Sequence, residues 1–321
     1  MTTEKEYIAY INRALSEINY PQQPSGLYEP IAYTLDCGGK RIRPMLMLAV
    51  AEALGADKSV AVNQAVGLEM FHNFTLLHDD VMDRADMRRG RPTVHVKWNE
   101  ATAILSGDAM LTMASQFMGR GCDGKLAEVL DLFNRTAIEI YEGQQYDMDF
   151  ESREGVTAGE YIEMIRLKTS VLLGCACRMG ALMAGGDEVV QKAFYDYGMY
   201  LGLAFQLQDD WLDTYGDPKL FGKKIGGDIL NDKKTLLLIT ALNRADKEMK
   251  SRLVSLFGTR SDEKIAEVMA IYAALDVESE CRSMICDYSA KAIACLDRAG
   301  LSPEAREFFE EIARQSLNRK S

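Results

Sequence analysis

Residues 76–90 read LLHDDVMDRADMRRG. Asp79 and Asp80 are adjacent, Asp83 follows one helical turn later, and Asp86 follows that. On a helix these carboxylates crowd one side, and like charges at that spacing cost roughly a few tenths of a kcal/mol each. The pattern returns in QDDWLDTYGD, residues 208–217, with Asp209, Asp210 and Asp213. Asp79 and Asp83 stack one turn apart, and so do Asp209 and Asp213. Each set is a claw of oxygen ligands, which selects a hard cation such as Mg²⁺. One such cluster reads equally well as a solvated acidic face. Two of them, each after an apolar run, favour metal. The helix of the first claw is expected to stop around Gly90-Arg91-Pro92. That puts its acids near a helix C-terminus, where negative charge is unfavourable. A bound cation would remove the penalty.

Outward from the claws, the chain reads as helix. Its seven prolines leave 93–217 and 219–302 free of proline, and such stretches permit long helices. AIEIYEGQQYDMDFE (137–151) and the run from Lys264 to Leu296 repeat apolar residues every three or four positions, the helical period. No convincing alternation of period two is present. PQQPSG (21–26), GRGCDGK (119–125), AGGDE (184–188), GDPKLFGKKIGGD (216–228) and FGTRSDEK (257–264) read as loops. Ser302-Pro303-Glu304 reads as the cap and first turn of a last helix. No linker or low-complexity segment divides the chain. The expectation is a single all-α domain over residues 1–321, a large helical bundle of roughly ten or more helices.

The bulk numbers bound the function. The 321 residues are 47% hydrophobic and 26% charged, with a net charge of −11. There is no overall positive field to collect phosphates, which argues against nucleic-acid partners. The seven cysteines are odd in number and irregularly spaced. They read as reduced packing residues of a cytoplasmic protein. The N-terminal MTTEKEYIAYINRALSEI has no basic start and no apolar core, so no signal peptide is expected. MLMLAVAEALGA and VLLGCACRMGALMAGG are too short or too interrupted for a membrane span.

Basic residues gather near the acids. GGKRIRP (38–44) supplies Lys40, Arg41 and Arg43, and MRRGRP (87–92) supplies Arg88, Arg89 and Arg91. LKTS (167–170) supplies Lys168 and Thr169, and 221–234 supplies Lys223, Lys224, Lys233 and Lys234. Guanidinium forks suit phosphate oxygens. Claws together with cations are what a diphosphate needs. His72 precedes Asp79 by seven residues and so shares its helix face.

GGKRIRP, HDDVMDRADMRRG, KTS, FQLQDDWLD and the GKK…GGD lysines occur in the order seen in trans-isoprenyl diphosphate synthases, and the chain from about 38 to 236 resembles that polyprenyl synthetase family. The resemblance implies an all-α fold with a central cavity, across which two DDxxD claws bind a cluster of Mg²⁺ ions. It implies that Asp79, Asp80 and Asp83 form the first claw, and Asp209, Asp210 and Asp213 the second. Arg88, Lys168, Thr169, Gln206 and Lys223 match residues holding the allylic diphosphate or its reacting end, and Lys233 is a further substrate lysine. Lys40, Arg43, His72 and Arg89 match the isopentenyl diphosphate site. It further implies a homodimer. Residues 240–321 match no motif.

The implied reaction is ionisation of the allylic diphosphate, attack by the alkene of isopentenyl diphosphate, and proton loss. Metal and cationic side chains take up the charge on the leaving diphosphate, and Gln206 can aim an amide dipole at the carbocation. The competing readings are a class I terpene cyclase, a di-iron carboxylate bundle and a non-catalytic partner subunit. A cyclase usually carries an Asn/Ser/Glu-type second motif and has no use for an isopentenyl site. A di-iron bundle needs two Glu-x-x-His motifs, and only Glu69–His72 supplies one. Intact claws argue against a non-catalytic subunit. Product length is expected to be set four and five residues before the first aspartate, at Thr75 and Phe74. One aromatic beside one small residue resembles the geranylgeranyl (C20) pattern, with farnesyl (C15) next. An ideal helical wheel points Thr75, not Phe74, along the Asp79 face.

Overall fold

The computed structural model describes residues 1–122, 124–217 and 225–318, with side chains to 315. The elements are α1 (Glu4–Ser16), α2 (Ser25–Asp36), α3 (Ile42–Ala53), α4 (Val62–Met82), α5 (Val94–Lys97), α6 (Glu100–Met118), α7 (Leu126–Ser152) and α8 (Ala158–Ile165). They continue as α9 (Val171–Met183), α10 (Glu188–Tyr215), α11 (Gly227–Leu230), α12 (Leu236–Arg244), α13 (Lys247–Ser255), α14 (Asp262–Ala274), α15 (Val277–Cys295) and α16 (Pro303–Asn318). Among the described residues the only β structure is a two-residue antiparallel ladder, Met87–Arg88 against Arg91–Pro92. The all-α expectation holds. Among the described residues no helix is long and apolar enough to cross a membrane.

The chain forms two compact units, residues 1–134 with 175–192 and residues 135–174 with 193–321. In the first, α3 is buried continuously from Pro44 to Ala51. A helix apolar on all sides belongs inside. Helix α4 packs along α6 and buries Met70, Phe71, Asn73, Phe74, Leu77 and Asp80. His72, Thr75 and Asp79 form a neighbouring half-buried stripe at helical spacing. The Asn99 side chain accepts from Thr102 N at 2.8 Å and fixes the start of α6.

In the second unit a core of Tyr161, Leu207, Leu236–Ile239, Leu253, Val268, Tyr272 and Ile285 joins α8, α10 and α12–α15. The Tyr197 hydroxyl of α10 donates to Phe309 O of α16 at 2.8 Å. Between α8 and α9 lies a π turn, Arg166–Ser170. Two glycines admit it. A Cβ on Gly143 of α7 would lie 2.3 Å from Lys168 N, and one on Gly202 of α10 would lie 2.6 Å from Ser170 Cα. Single π turns of this kind are frequent at functional sites.

Two sequence expectations are corrected. Helix α4 stops at Met82, with Asp83 as its C-cap, well before Gly90–Pro92. Arg84 leaves it at φ 52°, and the chain then folds into the small ladder. Stopping early puts Asp79 and Asp80 in the last turn of α4, where the helix dipole disfavours negative charge. FGTRSDEK is not loop throughout. Ser261 accepts from Lys264 N at 3.3 Å as the cap of α14, which places Lys264 in the first turn of a helix.

Candidate active site

In the first unit, the end of α4 and the 87–92 ladder bring acids and guanidiniums together. Arg88 donates through Nε to both Asp80 oxygens, at 2.8 and 2.9 Å, and its Nη2 lies 3.8 Å from Asp79. Asp80 is buried and Asp79 half-buried, while Asp83 is exposed at the helix end. Burial lifts the Asp80 carboxyl above its usual range, and Arg88 offsets only part of this.

The cationic loop before α3 sits with the same group. Arg89, at φ 52°, donates to Gly38 O. Arg43 Nη1 lies 3.2 Å from His72 Nε2. Lys40 is exposed beside Gly38 and Gly39, both at positive φ. Burial, and then Arg43, Arg89 and Arg88, hold His72 well below its usual pKa. A neutral ring can accept from a guanidinium. Of the four residues expected at the isopentenyl site, Arg43 on α3 and Arg89 in the ladder turn thus act on His72 of α4, while Lys40 lies in the loop whose Gly38 O accepts from Arg89.

Arg41, which the sequence groups with the basic residues near the acids, is committed to a buried ion pair instead. It is buried at φ 50° and bonds Glu69 Oε1 at 2.5 Å, Leu35 O at 2.6 Å and Asn12 Oδ1 at 3.1 Å. Asn73 Nδ2 also donates to Glu69, at 3.1 Å. Glu69 is thus committed to an ion pair, which removes the lone Glu-x-x-His as a di-iron half-site.

In the second unit, α10 carries Gln206, Asp209, Asp210 and Asp213. Thr169, on the π turn, donates to Gln206 Oε1 at 3.1 Å, and Gln206 Nε2 donates to Asp210 at 3.0 Å. Tyr161 also donates to Asp210. Gln206 therefore orients a carboxylate as well as presenting its own dipole. Burial, then the charge of Asp228, pushes Asp210 up to about 7, against the pull of Lys233, Tyr161 and Gln206. Asp209 is half-buried. Asp213 Oδ2 accepts Asp228 N at 2.9 Å, so this acid also ties down the start of α11. Lys168 Nζ pairs with Asp147 Oδ2 at 2.6 Å. Tyr161 and Asp147 were not anticipated, since a lone tyrosine and an acid without a doublet give no pattern. Lys223 lies outside the described residues. Lys233 is exposed just after α11.

Among the described residues no three His, Cys, Asp or Glu side chains are already arranged as a metal-ion cage. The donor chemistry nevertheless fits a hard divalent cation. Both clusters offer carboxylate oxygens alone, a guanidinium already lies against Asp79 and Asp80, and burial makes ionised Asp210 costly without a nearby positive charge.

Phe74 is buried, with its ring centroid 4.7 Å from that of His78 and 5.6 Å from that of Phe71. His78 lies 3.1 Å from Ile104 O of α6. Thr75, whose hydroxyl donates to His72 O at 2.8 Å, lies on the His72–Asp79 stripe.

Residues 24–275 match the family model described as polyprenyl synthetase. The chain is 41% identical over 245 residues to a geranylgeranyl diphosphate synthase of Methanosarcina mazei, covering 76% of each. It is 35% identical to a geranylfarnesyl diphosphate synthase of Natronomonas pharaonis, over 94% of this chain and 93% of that one. A crystal structure of a geranylgeranyl pyrophosphate synthase superposes with a TM-score of 0.94 at 43% identity, covering 100% of both chains.

Proposed function

This chain belongs to the polyprenyl synthetase family, and on that footing we propose that its main product is geranylgeranyl diphosphate, with farnesyl diphosphate the second choice. The chain is a short-chain trans-prenyltransferase. Its family uses divalent metal in catalysis. The finer assignments are our reading. Asp79, Asp80 and Asp83, and separately Asp209 and Asp210 with Asp213 at the margin, hold Mg²⁺. Residues 1–321 act as one polyprenyl synthetase domain, a reading the match over 24–275 supports.

One observation carries the assignment of substrates. Arg43 and Arg89 bring positive charge to His72, on the helix that bears the first claw, and Arg89 is tied to Gly38 of the loop that carries Lys40. A cyclase has no second diphosphate to place there. Isopentenyl diphosphate binds this group. Arg88, Lys168, Thr169, Gln206, Lys223 and Lys233 serve the allylic diphosphate. When bound, the metal ions supply positive charge at its phosphate oxygens. Arg88 and Lys168 take up the charge that grows as the allylic C–O bond breaks. The isopentenyl alkene then gives its π pair to the allylic carbon, forming the new C–C bond. The carbon next to the resulting cation loses a proton to the departed diphosphate. Gln206, locked between Thr169 and Asp210, keeps its dipole oriented through these steps.

The C20 assignment rests on the small Thr75 lying on the Asp79 stripe and on the name of the Methanosarcina relative. The geranylfarnesyl relative marks C25 as the outcome that would overturn it. Purified chain given isopentenyl diphosphate with dimethylallyl, geranyl or farnesyl diphosphate, with products sorted by length, tests both activity and length. All seven cysteines are free, which suits a reducing cytoplasm. Ile104 and Leu105 are 47% and 60% exposed side by side on α6, which suits a homodimer. Sedimentation of the purified chain tests the dimer.

A further inference from the structure

We infer that Lys264 is a positioning residue for the substrate lysine Lys233, acting through a buried ion pair with Asp232. This rests on the assignment of Lys233 to the allylic diphosphate. It gives a task to a residue of the segment after 240, which matched no motif.

Lys264 sits in the first turn of α14, where a helix dipole disfavours a cation. Its side chain is 2% exposed. A lysine is seldom buried unless paired, so its partners explain its place. The ammonium donates to Asp232 Oδ1 at 2.6 Å, Thr259 O at 3.0 Å and Leu230 O at 3.4 Å. Three donors meet three acceptors. Asp232 lies in the short stretch between α11 and α12 that carries Lys233, and Leu230 is the last residue of α11.

Asp232 is itself unusual. It stands at φ 53°, a backbone region that non-glycine residues enter infrequently. Its Oδ2 accepts Gly258 N at 2.7 Å. Its carboxylate therefore joins the turn before α14 to the Lys233 loop. The next residue, Lys233, donates its N–H to Asp228 O at 3.0 Å, and its C=O accepts Thr235 N at 2.8 Å. With the backbone fixed on both sides of Lys233, the direction of its side chain is set by whether Asp232 keeps its turn. At 2.6 Å between Lys264 Nζ and Asp232 Oδ1 the pair is direct.

The test uses the full chain. Lys264→Met should raise KM for the allylic diphosphate about tenfold and leave KM for isopentenyl diphosphate within about twofold. Lys264→Arg should recover part of the loss. Should Lys264→Met fail to fold, Lys264→Met with Asp232→Gly removes both charges and gives the left-handed position a glycine. Its thermal midpoint should return towards wild type while the allylic KM stays raised. A wild-type KM in that folded double variant would mean the pair serves stability alone, and would overturn the inference. Lys233→Met separates this from the underlying assignment. An unchanged allylic KM in Lys233→Met sinks the assignment itself. If Lys233→Met raises KM, adding Lys264→Met to it should change KM no further, because a side chain that is gone cannot be misplaced. Fully additive effects would overturn the positioning role.

Discussion

The loop before α3 and the loop after α11 each carry a lysine proposed to bind phosphate, and each is held by an ion pair whose cation is buried, yet the pairs are built in opposite senses. In the first loop the member at positive φ is the cation, Arg41, and its partner Glu69 lies on α4 with the first claw. In the second it is the anion, Asp232, and its partner Lys264 comes from α14. Arg41 and Glu69 have side chains only 3% exposed each, whereas Asp232 is 24% exposed. The difference teaches that either sign of residue can fix a turn at positive φ. The sign of that residue depends on what the neighbouring helix can offer.

The largest expected effect tests the two proposed claws. Asp79→Ala and Asp209→Ala should each lower turnover by orders of magnitude, with the helical circular dichroism spectrum near native. Turnover near wild type in either variant would show that its claw is dispensable. Next come the two pairs. Arg41→Met strands Glu69 in a dry interior and should cost about 3–5 kcal/mol in denaturant unfolding. Lys264→Met should cost less, about 1–3 kcal/mol, because Asp232 keeps some water and the Gly258 N–H. Equal losses would mean exposure of the stranded acid does not govern the cost.

A smaller effect separates the substrates. Arg89→Ala or Lys40→Ala should raise KM for isopentenyl diphosphate about tenfold more than KM for the allylic partner, and Lys168→Ala should do the reverse. Equal changes in both constants would break the division. The smallest effect is a shift in product length. Thr75→Phe, on the Asp79 stripe, should shorten the product. Phe74→Ala should lengthen it by a lesser amount, since Phe74 faces Phe71 and His78. An unchanged distribution in both variants places the limit on another helix.

Much of this was legible in the sequence because it is periodic or doubled. The two aspartate pairs, the His72–Asp79 stripe and the lysine and arginine clusters announce themselves by spacing. What stayed hidden has no spacing to announce it. The Arg41–Glu69 pair spans 28 residues, Tyr161–Asp210 spans 49, and Lys264–Asp232 spans 32. Each is a lone residue finding a partner only once the chain is folded. The end of α4 was misplaced for a related reason. Pro92 is a visible stop, but the left-handed turn at Arg84 that ends the helix earlier is a choice an arginine does not advertise.

The π turn at Arg166–Ser170 holds one residue more than a regular helix would. Deleting any one of those five residues would leave a smoother helix of better intrinsic propensity. It would also rotate everything on one side of the cut by about 100° relative to the other. Lys168 would swing away from Asp147, and Thr169 from Gln206. The glycines at 143 and 202 would then face a groove with nothing to fill it. Substitutions can accumulate around this turn, but its length is a quantity that drift cannot change one step at a time without losing the lysine.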